Sequence, residues 1–72
     1  MDEKTSIHIV TEFITLGQFL KFAQIIDNGG QAKAFLATTE VKVNGESENR
    51  RGRKLRNGDV IETLGKSYKV EG

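Results

Sequence analysis

Apolar and polar positions along this chain recur with two different periods, and the switches between them mark out its elements. Ser6-Ile7-His8-Ile9-Val10 is short, rich in β-branched residues and bounded by polar ones, which predicts a first strand with Ile7 and Ile9 toward the core. His8 then points the other way, beside Val10. From Leu16 the period lengthens: Leu16, Phe19, Leu20, Ala23 and Ile26 recur at helical spacing, with Phe22 and Ile25 widening the stripe, so a helix is expected from Leu16 to Ile26. Thr15, followed three residues later by Gln18, fits a capping box at its start. Asp27-Asn28-Gly29-Gly30 breaks the pattern, and Gly29 suits a left-handed cap. A second helix is expected from Gly30 to Thr38, burying Ala32, Phe35 and Leu36 and leaving Gln31, Lys33 and Thr38 outside.

The period then drops to two. Val41 and Val43 alternate with Lys42 and lead into Asn44-Gly45, the pair best suited to a type I′ turn, so a hairpin joins strands at Val41 to Val43 and Glu46 to Asn49. A second turn signal, Asn57-Gly58, precedes a strand from Val60 to Leu64. Gly65-Lys66 suits a type II′ turn, after which Ser67 to Val70 returns antiparallel with Tyr68 and Val70 on the core side. The predicted fold class is α+β: two consecutive helices packed on a small, mainly antiparallel sheet.

With 72 residues the chain reads as one domain near the size at which an apolar core only just offsets chain entropy. There is no cysteine, and the lone histidine cannot build a zinc site, so no metal or cofactor is expected and stability rests on packing. The same inventory argues against an enzyme. It offers no cysteine nucleophile, no triad with one histidine and no close carboxylate pair in a predicted pocket, so no catalytic residue is assigned. No stretch approaches a signal peptide or membrane span, and a soluble cytoplasmic protein without a small-molecule substrate is expected.

The net charge of +1 conceals a concentration of cations. Five of the eleven Lys and Arg residues, Arg50, Arg51, Arg53, Lys54 and Arg56, stand together with no acid among them until Asp59. Because turn and strand signals bracket this segment, it is expected to be held in place. Arginine forks suit phosphate, and the phenylalanines read as core, so recognition of RNA shape and backbone is expected in place of base stacking. Asp59, between Gly58 and Val60, reads as a residue that bonds turn amides.

A family likeness then enters. Leu16-x-x-Phe19-Leu20-Lys21, Gln31-Ala32-Lys33, Val41-Lys42-Val43-Asn44-Gly45-Glu46 and Leu55-x-x-Gly58-Asp59-Val60-Ile61 occur in that order, and together they resemble the S4 RNA-binding domain. Gly29-Gly30-Gln31-Ala32-Lys33 and Arg50-Arg51-Gly52-Arg53-Lys54-Leu55 look like small stand-alone bacterial members of that family. The resemblance implies an S4-like αL motif, one RNA-binding domain over residues 1–72, and a non-catalytic grip on structured RNA. It further implies ribosomal RNA or ribosomal particles as the partner, with a role in ribosome assembly suggested for some members. The RNA-facing surface it implies maps onto Gln31, Lys33, Lys42, Arg50, Arg51, Arg53, Lys54 and Arg56. The chain departs from the wider family in having Thr15-Leu16-Gly17 where an Arg-Leu-Asp start is usual, and Gly29 where a basic residue enters the second helix. Two cationic contacts are thereby missing, and weight shifts to the arginine-rich loop.

Two other classes compete. A protein-interaction module would use the same basic face against an acidic partner. A ubiquitin-like sulfur carrier shares the Val-Asn-Gly-Glu hairpin and the Leu-x-x-Gly-Asp-Val strand, but the sequence ends Val70-Glu71-Gly72 where such carriers end Gly-Gly.

Overall fold

In the computed structural model, which describes residues 4–72, a five-stranded sheet carries the helices on one face. Its strands are β1 (Lys4–His8), β3 (Val41–Val43), β4 (Glu46–Ser47), β6 (Val60–Thr63) and β7 (Lys66–Glu71), in the spatial order β1-β7-β6-β3-β4. Only β1 and β7 run parallel; the other pairs are antiparallel. A separate two-stranded ladder joins β2 (Ile14–Thr15) to β5 (Lys54–Leu55). The helices are α1 (Leu16–Phe22) and α2 (Ala32–Thr38), with a short 3-10 turn over Gly29–Gln31 between them. The α+β arrangement of two helices and a mainly antiparallel sheet is as expected. No helix among the described residues is long and apolar enough to cross a membrane.

Burial follows the alternation read from the sequence. Val41, Val43, Ile61, Tyr68 and Val70 face the helices and meet Leu16, Phe19, Leu20, Ala32 and Leu36 in one cluster, which Leu55 joins from β5. Ile9 is buried and Ile7 partly so, while His8 is exposed. Regular pairing in β1 nevertheless ends at His8, and Val10 lies 93% exposed beyond it. The Asn44-Gly45 turn has φ angles of 53° and 86°, the double left-handed geometry of type I′.

Three expectations need correction. The first helix stops at Phe22, not Ile26, because Gln24 takes a left-handed φ of 61°. The Gln24 amide donates to the Lys21 carbonyl at 3.0 Å and the Ile25 amide to the Leu20 carbonyl at 2.9 Å, which is a Schellman closure with glutamine at the position glycine usually fills. The reversal swings Ile26 into the core and leaves Phe22 53% exposed, so Phe22 does not widen the buried stripe and Gly29 is not the cap. At the last hairpin the two-residue loop is Leu64-Gly65 (φ 54° and 73°), one residue earlier than Gly65-Lys66. That register sets Ile61 opposite Tyr68, both facing the core, and outweighs a left-handed leucine costing roughly 1–2 kcal/mol. The return strand of the first hairpin covers Glu46–Ser47, with one further bond from the Glu48 amide to the Val41 carbonyl at 2.8 Å, and does not reach Asn49, because the Asn49 and Arg50 amides turn to the Glu48 carboxylate.

Candidate functional site

The basic loop is built onto the start of α1. A helix leaves its first amides without intrahelical partners, and here the loop supplies them. The Leu16 amide donates to the Arg53 carbonyl at 2.8 Å and the Gly17 amide to the Arg51 carbonyl at 2.9 Å. The Gln18 amide donates to Thr15 Oγ1 at 3.2 Å while Gln18 Oε1 accepts from the Thr15 amide at 2.9 Å, completing the capping box. Pairing of Ile14 with Leu55 and of Thr15 with Lys54, together with the fully buried Leu55 side chain, pins the far end. The backbone is therefore fixed and the side chains radiate from it. The loop carbonyls and Thr15 Oγ1 thus occupy the first α1 amides, which are not open to a ligand.

Glu48 organises two of the five cations. Its Oε2 accepts from the Asn49 and Arg50 amides, each at 3.1 Å, and from Arg50 Nε at 3.0 Å. Its Oε1 accepts from Arg50 Nη2 at 3.0 Å and Arg53 Nη1 at 3.1 Å. The carboxylate side chain is only 9% exposed. The Arg50 guanidinium first, then the Arg50 amide and Arg53, hold its pKa down at about 2 from the ordinary 4.5, against the upward push of burial. A carboxyl with a folded pKa below its unfolded one contributes stability that is fully present above about pH 4.5 and is lost as pH falls toward 2. Glu48→Gln should accordingly cost about 1–2 kcal/mol at neutral pH, or about 4–15 °C in melting temperature for a chain of this size. In melts from pH 7 to 2 the gap to wild type should close as pH falls through that window; a gap independent of pH would contradict the role assigned to Glu48.

The remaining loop cations have no carboxylate within ion-pair distance among the described residues. Arg51 lines a shallow cleft with Gly17, Gln18, Gly29, Ala32 and Gly52, and Lys21 lines it from α1. Lys54 Nζ and the Arg56 guanidinium carbon lie 4.9 and 5.6 Å from the centroid of the Phe13 ring, within cation–π range. Lys33 is exposed on α2, one residue beyond Ala32 in the cleft. Gln31 has a local task, its Oε1 accepting from the Asp27 amide at 2.6 Å and the Asn28 amide at 3.2 Å. Lys42 stands apart. Flanked by the core-facing Val41 and Val43, it leaves the opposite face of the sheet, beside Glu62 and Ser47 on the neighbouring strands.

Arg51 and Lys21 thus line one cleft, Lys54 and Arg56 gather at Phe13, Lys33 is exposed on α2, Arg50 and Arg53 are tied to Glu48, and Lys42 lies behind the sheet. Lys21 was not among the candidates. Its position four residues after Gly17, one turn along the same helix face, was the signal for it. Asp59 bonds turn groups as expected: Oδ2 accepts from the Arg56 amide at 2.8 Å and Oδ1 from Asn44 Nδ2 at 3.1 Å.

Comparison with known proteins gives two findings. A family model described as S4 domain matches residues 7–71. The chain is also 63% identical over 59 residues to a protein of Bacillus subtilis (strain 168) named as a probable ribosome maturation protein RlbA, with 82% of this chain and 83% of that protein covered.

Proposed function

Because the chain belongs to the S4 domain family, we propose that it is a non-catalytic RNA-binding protein that grips structured RNA through phosphates. The observation that carries this reading is the arginine-rich loop, held by α1 amides at 2.8 and 2.9 Å, which presents Arg51, Lys54 and Arg56 without carboxylate partners among the described residues. A fixed backbone spares the ordering cost that a floppy basic tail meets on binding. Lys21 and Lys33 extend the surface across the cleft. Arg50 and Arg53 keep N–H donors beyond those Glu48 takes, and serve as secondary contacts. Gln31 contributes through the turn it caps. Lys42 adds only long-range attraction from behind the sheet.

The further reading is ribosomal RNA as the ligand, ribosome assembly as the setting and the cytoplasm as the place, supported by a relative named for ribosome maturation. In the same reading, the two helices and the loop docked on α1 form the family's αL motif, and residues 1–72 act as one RNA-binding domain. Folded RNA presents phosphates at fixed spacings that a rigid loop can match, whereas a flexible strand must be ordered first. Competition binding tests this. With a labelled fragment of ribosomal RNA bound, unlabelled fragment should displace it at far lower nucleotide concentration than poly-U; equal competition would reduce the binding to nonspecific charge attraction.

A further inference from the structure

A second concavity lies between the segment that follows β1 and the Gln18 and Phe22 side of α1, and it shares Gln18 with the cleft of Arg51 and Lys21. Ile9 and Ile14 belong to the core beneath it, and Val10, Phe13 and Phe22 bring exposed apolar surface to it. Val10 is 93% and Phe22 53% exposed, and Phe13 is half-buried. Neighbouring exposed apolar groups of this kind mark contact surfaces more often than chance.

The charges around it indicate what it contacts. Lys54 and Arg56, the two cations gathered at the Phe13 ring, have no ion-pair partner among the described residues. Within the lining stands Glu12, which disfavours a phosphate there, and Gln18, whose Oε1 is used by Thr15 while its amide nitrogen has no hydrogen bond among the described residues. A ligand matching this pattern has a flat apolar body, a hydrogen-bonding edge for Gln18 and Glu12, and negative charge only outside, toward Lys54 and Arg56. We infer that the concavity of Val10, Phe13 and Phe22 takes an unpaired nucleobase of the bound RNA, whose flanking phosphates meet Lys54 and Arg56. This rests on the RNA-binding reading and adds to it: the ligand carries an extruded base beside its paired segment. It also revises the expectation that every phenylalanine is core and that stacking is absent. Phe19 and the half-buried Phe35 pack in the core cluster, whereas the half-buried Phe13 and the exposed Phe22 lie outside it.

The test uses two RNA hairpins identical except for one 2-aminopurine bulged from the stem. The bulged hairpin should bind on the order of tenfold more tightly, the range of base–aromatic stacking, with a change in 2-aminopurine fluorescence on binding. Phe22→Ser should remove that preference while leaving the salt dependence and the affinity for the fully paired hairpin as they were, since no cation is lost; Phe22→Trp should keep it. Its exposure lets Phe22 be changed without opening the core, and unaltered melting temperatures confirm that. Equal affinity of wild type for both hairpins, as a concavity serving a protein partner would give, overturns the inference and leaves RNA binding standing. A Phe22→Ser variant that weakens both hairpins alike also overturns it. Failure of wild type to bind either hairpin removes the RNA-binding reading itself, and this inference with it.

Discussion

Replacing Phe19 by alanine should lower the unfolding free energy by about 3–5 kcal/mol. Phe19 is 0% exposed, and its ring meets that of Tyr68 edge to face with centroids 5.3 Å apart and planes at 80°. The contact fastens α1 to β7, the strand between β6 and β1, so the substitution removes buried area and an aromatic pair worth about 0.5–1.5 kcal/mol at one point. A chain of this length has roughly 4–11 kcal/mol to lose. Leu20, equally buried, should behave similarly as alanine, whereas Phe35, partly exposed at the edge of the cluster, should cost less. Urea unfolding measures this: a midpoint for Phe19→Ala within error of wild type would mean that helix and sheet do not share this core.

The second large effect concerns binding. On the proposed reading, contacts from Arg51, Lys54, Arg56, Lys33 and Lys21 would neutralise about five phosphates and give a log–log salt slope of about −3.5 to −4.5. A fourfold rise in salt should then weaken binding by a factor on the order of 100 to 500. Changing Arg51 and Lys54 together to alanine should reduce the magnitude of the slope by about 1.4 to 1.8. Taking 1 M salt as the point where the charge effect vanishes, affinity at 0.1 M should fall by about 25- to 60-fold. Neither side chain has an ion-pair partner among the described residues, so the melting temperature should fall only by the loss of the Lys54 contact with Phe13, about 0.5–1 kcal/mol or about 2–8 °C. Changing Arg50 and Arg53 should alter the slope less and the stability more, because the Glu48 carboxylate would lose its three guanidinium bonds and keep only the Asn49 and Arg50 amides. Fluorescence anisotropy across a salt series separates the two pairs, and an unaltered slope in Arg51→Ala/Lys54→Ala would show that the loop is only a solvated surface.

What was legible in the sequence was what adjacent residues decide among themselves. Thr15 and Gln18 announce their capping box, Asn44-Gly45 its turn, and the alternation of Tyr68 and Val70 with Ser67 and Lys69 the buried face of β7. The misses arise where distant contacts overrule local preference. Gln24 and Leu64 adopt left-handed angles that their side chains resist, because the turns they make put Ile26 and the Ile61–Tyr68 pair into the core. The pairing of Ile14–Thr15 with Lys54–Leu55 spans some forty residues and leaves almost no periodicity to detect in two-residue strands.

The site divides in the same way. A run of five cations is visible by inspection, but that Glu48 returns from the hairpin to hold Arg50 and Arg53 is a property of the folded chain. So is the separation of Lys42, whose place behind the sheet follows from Val41 and Val43 facing the helices. Phe22 misled for a related reason: an aromatic at helical spacing reads as core until the helix is seen to end there.

Amide chemical-shift mapping tests the central claim, that the loop docked on α1 is the RNA-binding face. With 15N-labelled protein titrated by a structured fragment of ribosomal RNA, the largest changes are predicted at Arg50 to Arg56, at Gly17 to Lys21 and at Gly29 to Lys33. Lys42, Glu62 and Ser67, behind the sheet, should move little. Shifts concentrated on those three residues, with the loop and the α1 start unmoved, would contradict the account.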